Sequence, residues 1–362
     1  MTDGTSGPGT GPWARFSRGG SWRRGGEDRP RRHSALRGWG GVAGMATACA
    51  LTAAATLIPL SQGAGAGLTG AGRSASATMS AKAAQCEDPE RSLRPSPADG
   101  PSIRAIKERG KLVVGVDQNS YRWGYRDPAT GGLLGFDIDL ARAIAKDILG
   151  SETAVIFRAI PTDQRIPALD NGTVDLVVRT MTINCDRAEQ VAFSTAYFQA
   201  GQQVLASEGS DITGYDASLK GKRVCTAEGS TAYDALKKNS FGAVFQDEHD
   251  DGPADENVLT VPNQLDCLVR LQQGLADAVV TDNALAAGQA AQDPAVTLKG
   301  KPFTVEYYGV AAALGKDDLV RRVNQVLEEY RKGPQSPWTK AYKKWLADDL
   351  PGISGPPTPK YR

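Results

Sequence analysis

The sequence predicts an α/β chain of two similar lobes facing each other across a cleft, and three observations lead there. A short unit is written twice, LDNGTVD at 169–175 and LQQGLAD at 271–277, each after a helical pattern and before a small apolar strand. A second pair agrees with the first, since GKLV at 110–113 and GKRV at 221–224 each open a strand upstream of their own unit. Repetition of this kind marks a duplicated supersecondary unit. Third, residues 174–178 are a β-branched apolar run, as a strand buried on both faces of a parallel sheet reads, and Arg179, Thr180 and Thr182 follow it. Open α/β sheets bind ligands at that carboxyl end. In the register of the repeat Thr180 corresponds to Asp282 and Asp117 to Glu228, so both lobes present polar groups at matching strand ends.

The 362 residues, 40% hydrophobic and with a formal charge of +1, suffice for a full core and show no nucleic-acid bias. The charge is uneven. Residues 14–37 carry Arg15, Arg18, Arg23, Arg24, Arg29, Arg31, Arg32 and Arg37 among Gly and Ser, ahead of an apolar stretch at 41–60. That is a basic region followed by an export or anchor segment, which we place at 1–66. Pro59 and the many glycines make it a poor spanning helix, and AGA at 64–66 suits signal-peptidase cleavage. Arg31-Arg32 is weak evidence for twin-arginine export in so arginine-rich a stretch. Cys49 follows ATA at 46–48, and this fits an ordinary apolar cysteine better than lipid attachment. An extracytoplasmic protein, secreted or held at the outer face of the membrane, is expected. Residues 67–100, rich in Gly, Ala, Ser and Pro, read as a flexible tether.

Beyond the export segment stand Cys86, Cys185, Cys225 and Cys267, an even set in an exported chain. Four cysteines allow three connectivities. The two lobes favour Cys225 with Cys267, both in the second, and Cys86 with Cys185 at the first. A metal site is not expected: there is no C-x-x-C, and only His33 and His249 offer imidazole.

In the first lobe (101–197, completed by 307–350) a helix at 103–109 leads to a strand at 111–116 that ends in Asp117. Tyr121, Trp123 and Tyr125 alternate next, as cleft wall or as core, with Tyr121 the one assigned to ligand. GFDIDLA at 135–141 starts an amphipathic helix, and its acids Asp137 and Asp139 read as first-turn caps. Arg187 offers a planar fork suited to a carboxylate.

GFDIDLA at 135–141, TMTINCDR at 180–187 and FSTAY at 193–197 together resemble the polar amino-acid-binding proteins of bacterial ABC importers, over roughly residues 101–350. CEDPERSLRP at 86–95, the cysteine within the threonine motif and PPTPKY at 356–361 are similar to the actinobacterial glutamine- and glutamate-binding branch. The resemblance implies a two-lobed periplasmic-binding-protein fold with two crossing strands at the hinge. It also implies a monomer without cofactor, partnered by an ABC permease or a membrane sensor. At the site, the residue matching Thr180 takes the ligand ammonium through its carbonyl, while those matching Thr182 and Arg187 hold the α-carboxylate. A zwitterion leaving water needs both charges paired.

The second lobe (198–306) begins with an extended crossing at 199–204, and its first strand ends in EGST at 228–231, a hydroxyl-bearing helix start that presents free N–H groups to an anion. By resemblance Ser230 and Thr231 complete the carboxylate site, and Asp282 pairs with the ammonium. DEHDDGPADE at 247–256 is a solvated acidic insertion without EF-hand spacing. Residues 304–313 return to the first lobe, helices at 318–330 and 337–346 finish it, and 351–362 form a tail. The expected function is binding by lobe closure, for transport or for sensing. An enzyme is not expected, although a dehydratase would fit the same fold. Glu228 is its one plausible cleft acid or base. By resemblance Asp117 reads the ligand side chain and prefers an amide or cation, whereas Arg179 and Arg122 suit a carboxylate. Glutamate and glutamine are favoured over aspartate and asparagine.

Overall fold

The computed structural model describes residues 86–246 and 259–362, and the features expected at 1–66, at 67–85 and in the acidic insertion lie outside them. Strands β1 (Leu112–Val116), β2 (Asn119–Ser120), β3 (Gly124–Arg126), β4 (Leu133–Leu134), β5 (Val155–Ala159), β6 (Leu176–Val177), β7 (Val191–Phe193) and β8 (Phe198–Ala200) lead through the first lobe to the hinge. β9 (Gln202–Ser207), β10 (Val224–Ala227), β11 (Thr260–Val261), β12 (Ala278–Asp282) and β13 (Val296–Lys299) build the second lobe, and β14 (Glu306–Tyr308) and β15 (Ala311–Ala313) return. One sheet has the order β5-β1-β6-β15-β7 and the other β11-β10-β12-β9-β13. In each, three parallel strands are flanked by an antiparallel strand entered from the crossing, where β8 pairs with β14.

The repeat seen in the sequence is a structural device. Asp175 accepts the amide of Val113 at 2.8 Å, and Asp277 accepts that of Arg223 at 2.7 Å, so each repeated aspartate pins the start of the neighbouring strand. The repeated glycines Gly172 and Gly274 take φ of 71° and 69°, a left-handed turn that a side chain would oppose. Both sheets are covered on both faces, which explains their unbroken apolar strands. The crossing is sealed by aromatics: Trp123 packs edge-on against Phe198 and Tyr308 at 4.7 and 5.7 Å between centroids. Trp123 is therefore core.

Two expectations are corrected. From Cys86 onward the supposed tether is fastened to the first lobe, because a few polar groups outweigh its loop-like composition. Cys86 is bonded to Cys185, Ser92 Oγ donates to the Phe193 carbonyl at 2.6 Å, and Asn324 Nδ2 donates to Ser92 Oγ at 2.8 Å. The tail joins it there, with Ser92 and Tyr361 in a parallel bridge. Cys225 is bonded to Cys267. The acids of the helix Phe136–Leu149 make no cap, since Gly135 stands at the N-cap without a side-chain bond. Asp139 instead accepts the Trp345 indole N–H at 2.7 Å, and Asp137 is buried beneath the cleft. Among the described residues no helix is long and apolar enough to cross a membrane.

Candidate functional site

The carboxyl ends of β1 and β6 meet at the cleft. Arg179 Nη2 lies 3.1 Å from Asp117 Oδ2, and both side chains are buried. Asp117 also accepts Ser120 Oγ at 2.7 Å and the amides of Gln118 and Asn119 at 2.8 and 3.0 Å. Two of the three residues expected to read a ligand side chain thus neutralise each other. Thr180 takes φ of 40°, uncommon for a β-branched residue, and its amide donates to Asp137 Oδ2 at 2.9 Å. Tyr197 Oη donates to the other oxygen at 2.9 Å. Burial pushes the Asp137 carboxyl up to about 7 and the Tyr197 phenol well above its ordinary range.

One end of the site is positive. Asn184 caps the short helix Cys185–Ala188 by accepting the Arg187 amide at 2.9 Å, and this aims the arginine inward. Arg187 donates to the Thr182 carbonyl at 2.9 Å and, across the cleft, to the Gly229 carbonyl at 3.0 Å. Arg165 converges on the same Gly229 carbonyl at 3.0 Å and also holds the Thr162 carbonyl at 2.7 Å. Among the described residues neither guanidinium forms an ion pair. Burial lowers the pKa of both, and for Arg165 the charge of Arg187 adds to the effect. Beside them starts the helix Thr231–Lys238, capped by Ser230 Oγ at 3.1 Å from the Tyr233 amide, with its positive dipole end at the cleft. Two buried cations at a helix start call for an anion.

The other end is negative. Asp282 ends β12, as the repeat implies, and accepts Gln202 Nε2 and Tyr308 Oη. Burial, with the charge of Glu306 second, pushes its carboxyl up to about 7. Glu306, at the start of β14, accepts Thr182 Oγ1 at 2.6 Å, Thr231 Oγ1 at 2.9 Å and Gln202 Nε2 at 3.1 Å. These polar chains cross from one lobe to the other.

Between the two ends lies a cavity of about 20 Å³, lined by Arg165, Arg179, Thr182, Arg187, Thr231 and Asp282 among others. That is little more than one water by this measure, so a larger guest requires the lobes to part. They meet on either side of it. Thr162 N donates to the Pro262 carbonyl at 3.1 Å, and Trp123 Nε1 donates to the Ala284 carbonyl at 3.0 Å. Two glycines permit the approach: a Cβ on Gly288 would sit 2.8 Å from the Tyr121 carbonyl oxygen, and one on Gly229 would sit 2.9 Å from Asp163 Cα. Three lining groups, Arg179 Nε, Gln264 Oε1 and Thr162 Oγ1, have no partner among the described residues.

The expected residues divide accordingly. Arg179, Thr180, Thr182, Arg187, Ser230, Thr231 and Asp282 line the one cavity, and Asp117 lies behind Arg179. Tyr121 stands outside, edge-on to Tyr125 at 5.0 Å. Arg122 is also elsewhere, 2.9 Å from Asp349 in an ion pair, which removes it from recognition of a ligand carboxylate. Glu228 is exposed and lines the outer rim with Asp163. Sequence reasoning missed Arg165, Gln202, Gln264 and Glu306. None of these belongs to the repeated units, and Arg165 carries the ordinary signature of a solvated helix start.

A sequence profile of the bacterial extracellular solute-binding proteins, family 3, matches residues 112–348. The glutamine-binding protein GlnH of a Bacillus subtilis ABC transporter is 36% identical over 248 residues, 68% of this chain and 85% of that one. A glutamine-binding protein of Geobacillus stearothermophilus is 38% identical over 212 residues, 59% of this chain and 76% of that one. Among solved structures, an ancestral arginine-binding protein bound to glutamine superposes with a TM-score of 0.58 at 37% identity, covering 66% of this chain and 98% of that one. The solute receptor for L-cysteine of Neisseria gonorrhoeae gives 0.61 at 28% identity, covering 68% and 94%.

Proposed function

Because the chain belongs to the bacterial extracellular solute-binding proteins of family 3, we propose that it is an extracytoplasmic receptor that closes its lobes on one polar amino acid and yields it to the permease of an ABC importer. The observation that carries this reading is the polarity of the cavity. Arg165 and Arg187, buried and without an ion pair among the described residues, line one end, and Asp282 lines the other. An α-amino acid is the small molecule whose two charges match both ends at once. In this reading Arg187, Thr182, Ser230 and Thr231 hold the α-carboxylate, and Asp282 with the Thr180 carbonyl holds the ammonium.

For the side chain we favour glutamine over glutamate. Arg179 already has a carboxylate partner in Asp117, so a second one would compete for it. The lining groups without a partner among the described residues include, besides the Thr162 hydroxyl, a donor, Arg179 Nε, and an acceptor, Gln264 Oε1. An amide satisfies both, whereas a carboxylate can only accept. The names of the Bacillus and Geobacillus relatives support the same choice. The exposure of Glu228 supports binding without chemistry, since an acid or base must reach a sequestered substrate. The receptor is proposed to work as a monomer held at the outer face of the membrane.

Calorimetry of the purified protein against the standard amino acids tests the reading, with mass spectrometry of the recovered ligand. Tight, selective binding of glutamine returned unchanged is expected. Binding of no amino acid, or recovery of a dehydrated or deaminated product, would refute it.

A further inference from the structure

Glu306 is a buried acid with an unusual choice of partners. Its Oε2 accepts from Thr182 Oγ1 of the first lobe at 2.6 Å and from Thr231 Oγ1 of the second at 2.9 Å. Its Oε1 accepts Gln202 Nε2 at 3.1 Å and Thr304 Oγ1 at 3.3 Å. Thr182 and Thr231 are two of the three side-chain hydroxyls assigned above to the α-carboxylate of the amino acid, the third being Ser230. A threonine hydroxyl has a single proton to donate. One given to Glu306 cannot be given to a ligand.

We propose that Glu306 is a tethered competitor for the ligand's α-carboxylate, placed on the return crossing so that amino-acid binding must transfer these two hydrogen bonds from protein to ligand. The inference rests on the amino-acid reading and adds to it the residue that sets the affinity. Three observations favour competition over a second role, in which Glu306 joins Asp282 in pairing the ammonium. Its Oε2 takes two of the three hydroxyl protons of the carboxylate end. Arg187 feels Glu306 more strongly than any other acid. Asp282 already has two donors, Tyr308 and the Gln202 amide that it shares with Glu306. Position matters as well: Glu306 sits at the hinge and holds one hydroxyl from each lobe, so releasing both loosens the contact between lobes at the moment a ligand carboxylate can replace it. Binding is thereby tuned below what the same donors would give a ligand unopposed.

The test is calorimetry on the full chain, wild type against Glu306→Gln, with L-glutamine and with L-glutaminamide, whose α-carboxylate is replaced by a neutral amide. A neutral amide holds the threonines less strongly than a carboxylate does. Glu306→Gln should therefore bind L-glutamine roughly tenfold tighter, with no such gain for L-glutaminamide. Weaker or unchanged binding of L-glutamine would overturn the proposal, and an equal gain for both ligands would reduce it to general loosening. If the Gln variant does not fold, Glu306→Asp, which draws the charge back by one methylene, carries the same expectation. A wild type that binds L-glutamine with no tightening in either variant rejects the role of Glu306 alone. A wild type that binds no amino acid rejects it together with the reading on which it rests.

Discussion

Asp137 Oδ2 lies 2.9 Å from the amide nitrogen of Thr180, so a carboxylate from the helix below the cleft fixes the threonine whose backbone is left-handed. The second oxygen takes the Tyr197 hydroxyl. Both donors are buried, and an asparagine has one oxygen for the two of them. Asp137→Asn should cost about 1–3 kcal/mol of stability and weaken ligand binding through a displaced Thr180. Urea unfolding and calorimetry measure the two effects.

The same carboxyl makes stability depend on pH. For Asp137 and Asp282 the folded value, about 7, lies above the ordinary 3.8, so the folded protein holds these protons more tightly than the unfolded chain. Their contribution is complete below pH 4 and is lost as pH rises through 7, at roughly 1.4 kcal/mol per pH unit and group at most. Urea midpoints should fall between pH 5 and pH 8. The fall should be shallower in Asp137→Asn, and equal slopes would contradict the assignment.

Ligand affinity should run the other way. Pairing an ammonium requires Asp282 ionised, and the group holds its proton below about 7. The dissociation constant for glutamine should then rise by about tenfold per pH unit below that point, with proton release on binding near neutrality. In Asp282→Asn binding should be weak and flat over the same range.

Arg187 is expected to be the principal anchor. Its loss would leave a ligand carboxylate in the buried cavity with Arg165 as the remaining guanidinium at that end, and removing one partner of a buried charge pair costs roughly 2–5 kcal/mol. Arg187→Ala should weaken binding by about thirtyfold or more in calorimetry.

Closure has its own probe. A methyl group at Gly288 would stand 2.8 Å from the Tyr121 carbonyl oxygen across the cleft, too near for the lobes to keep their approach. Gly288→Ala should leave the fold and thermal stability near wild type, weaken amino-acid binding, and remove the compaction on adding ligand that scattering is expected to show for the wild type. Unaltered compaction would mean that the lobes close elsewhere.

The parts of the site legible in the sequence were those written twice or written at a fixed offset. Asp282 stood out because the repeat places it opposite Thr180, and Arg187 because the TMTINCDR run ties it to Thr182. Glu306 had neither signal, since it lies on a return crossing with no counterpart in the repeat. Asp137 was misread for a physical reason: an acid in the first turn of a helix satisfies the dipole rule whether it faces water or the core. Nothing in sequence spacing separates the two. Asp117 and Arg179 were each recognisable as polar strand ends, yet their pairing depends on strand order, which brings β1 beside β6. The fastening of residues 86–100 escaped composition because it is made by one disulfide and a few side-chain bonds.

That fastening has a mechanical consequence. Among the described residues, the bonds of the segment that begins at Cys86 go to the first lobe and the tail: to Cys185, to Phe193, to Asn324 and Arg322, and to Lys360. A pull arriving at Cys86 therefore enters the molecule through the first lobe and not at the crossings β8 and β14. The first lobe is thus the one fastened to the incoming chain, and the second lobe joins it through those crossings.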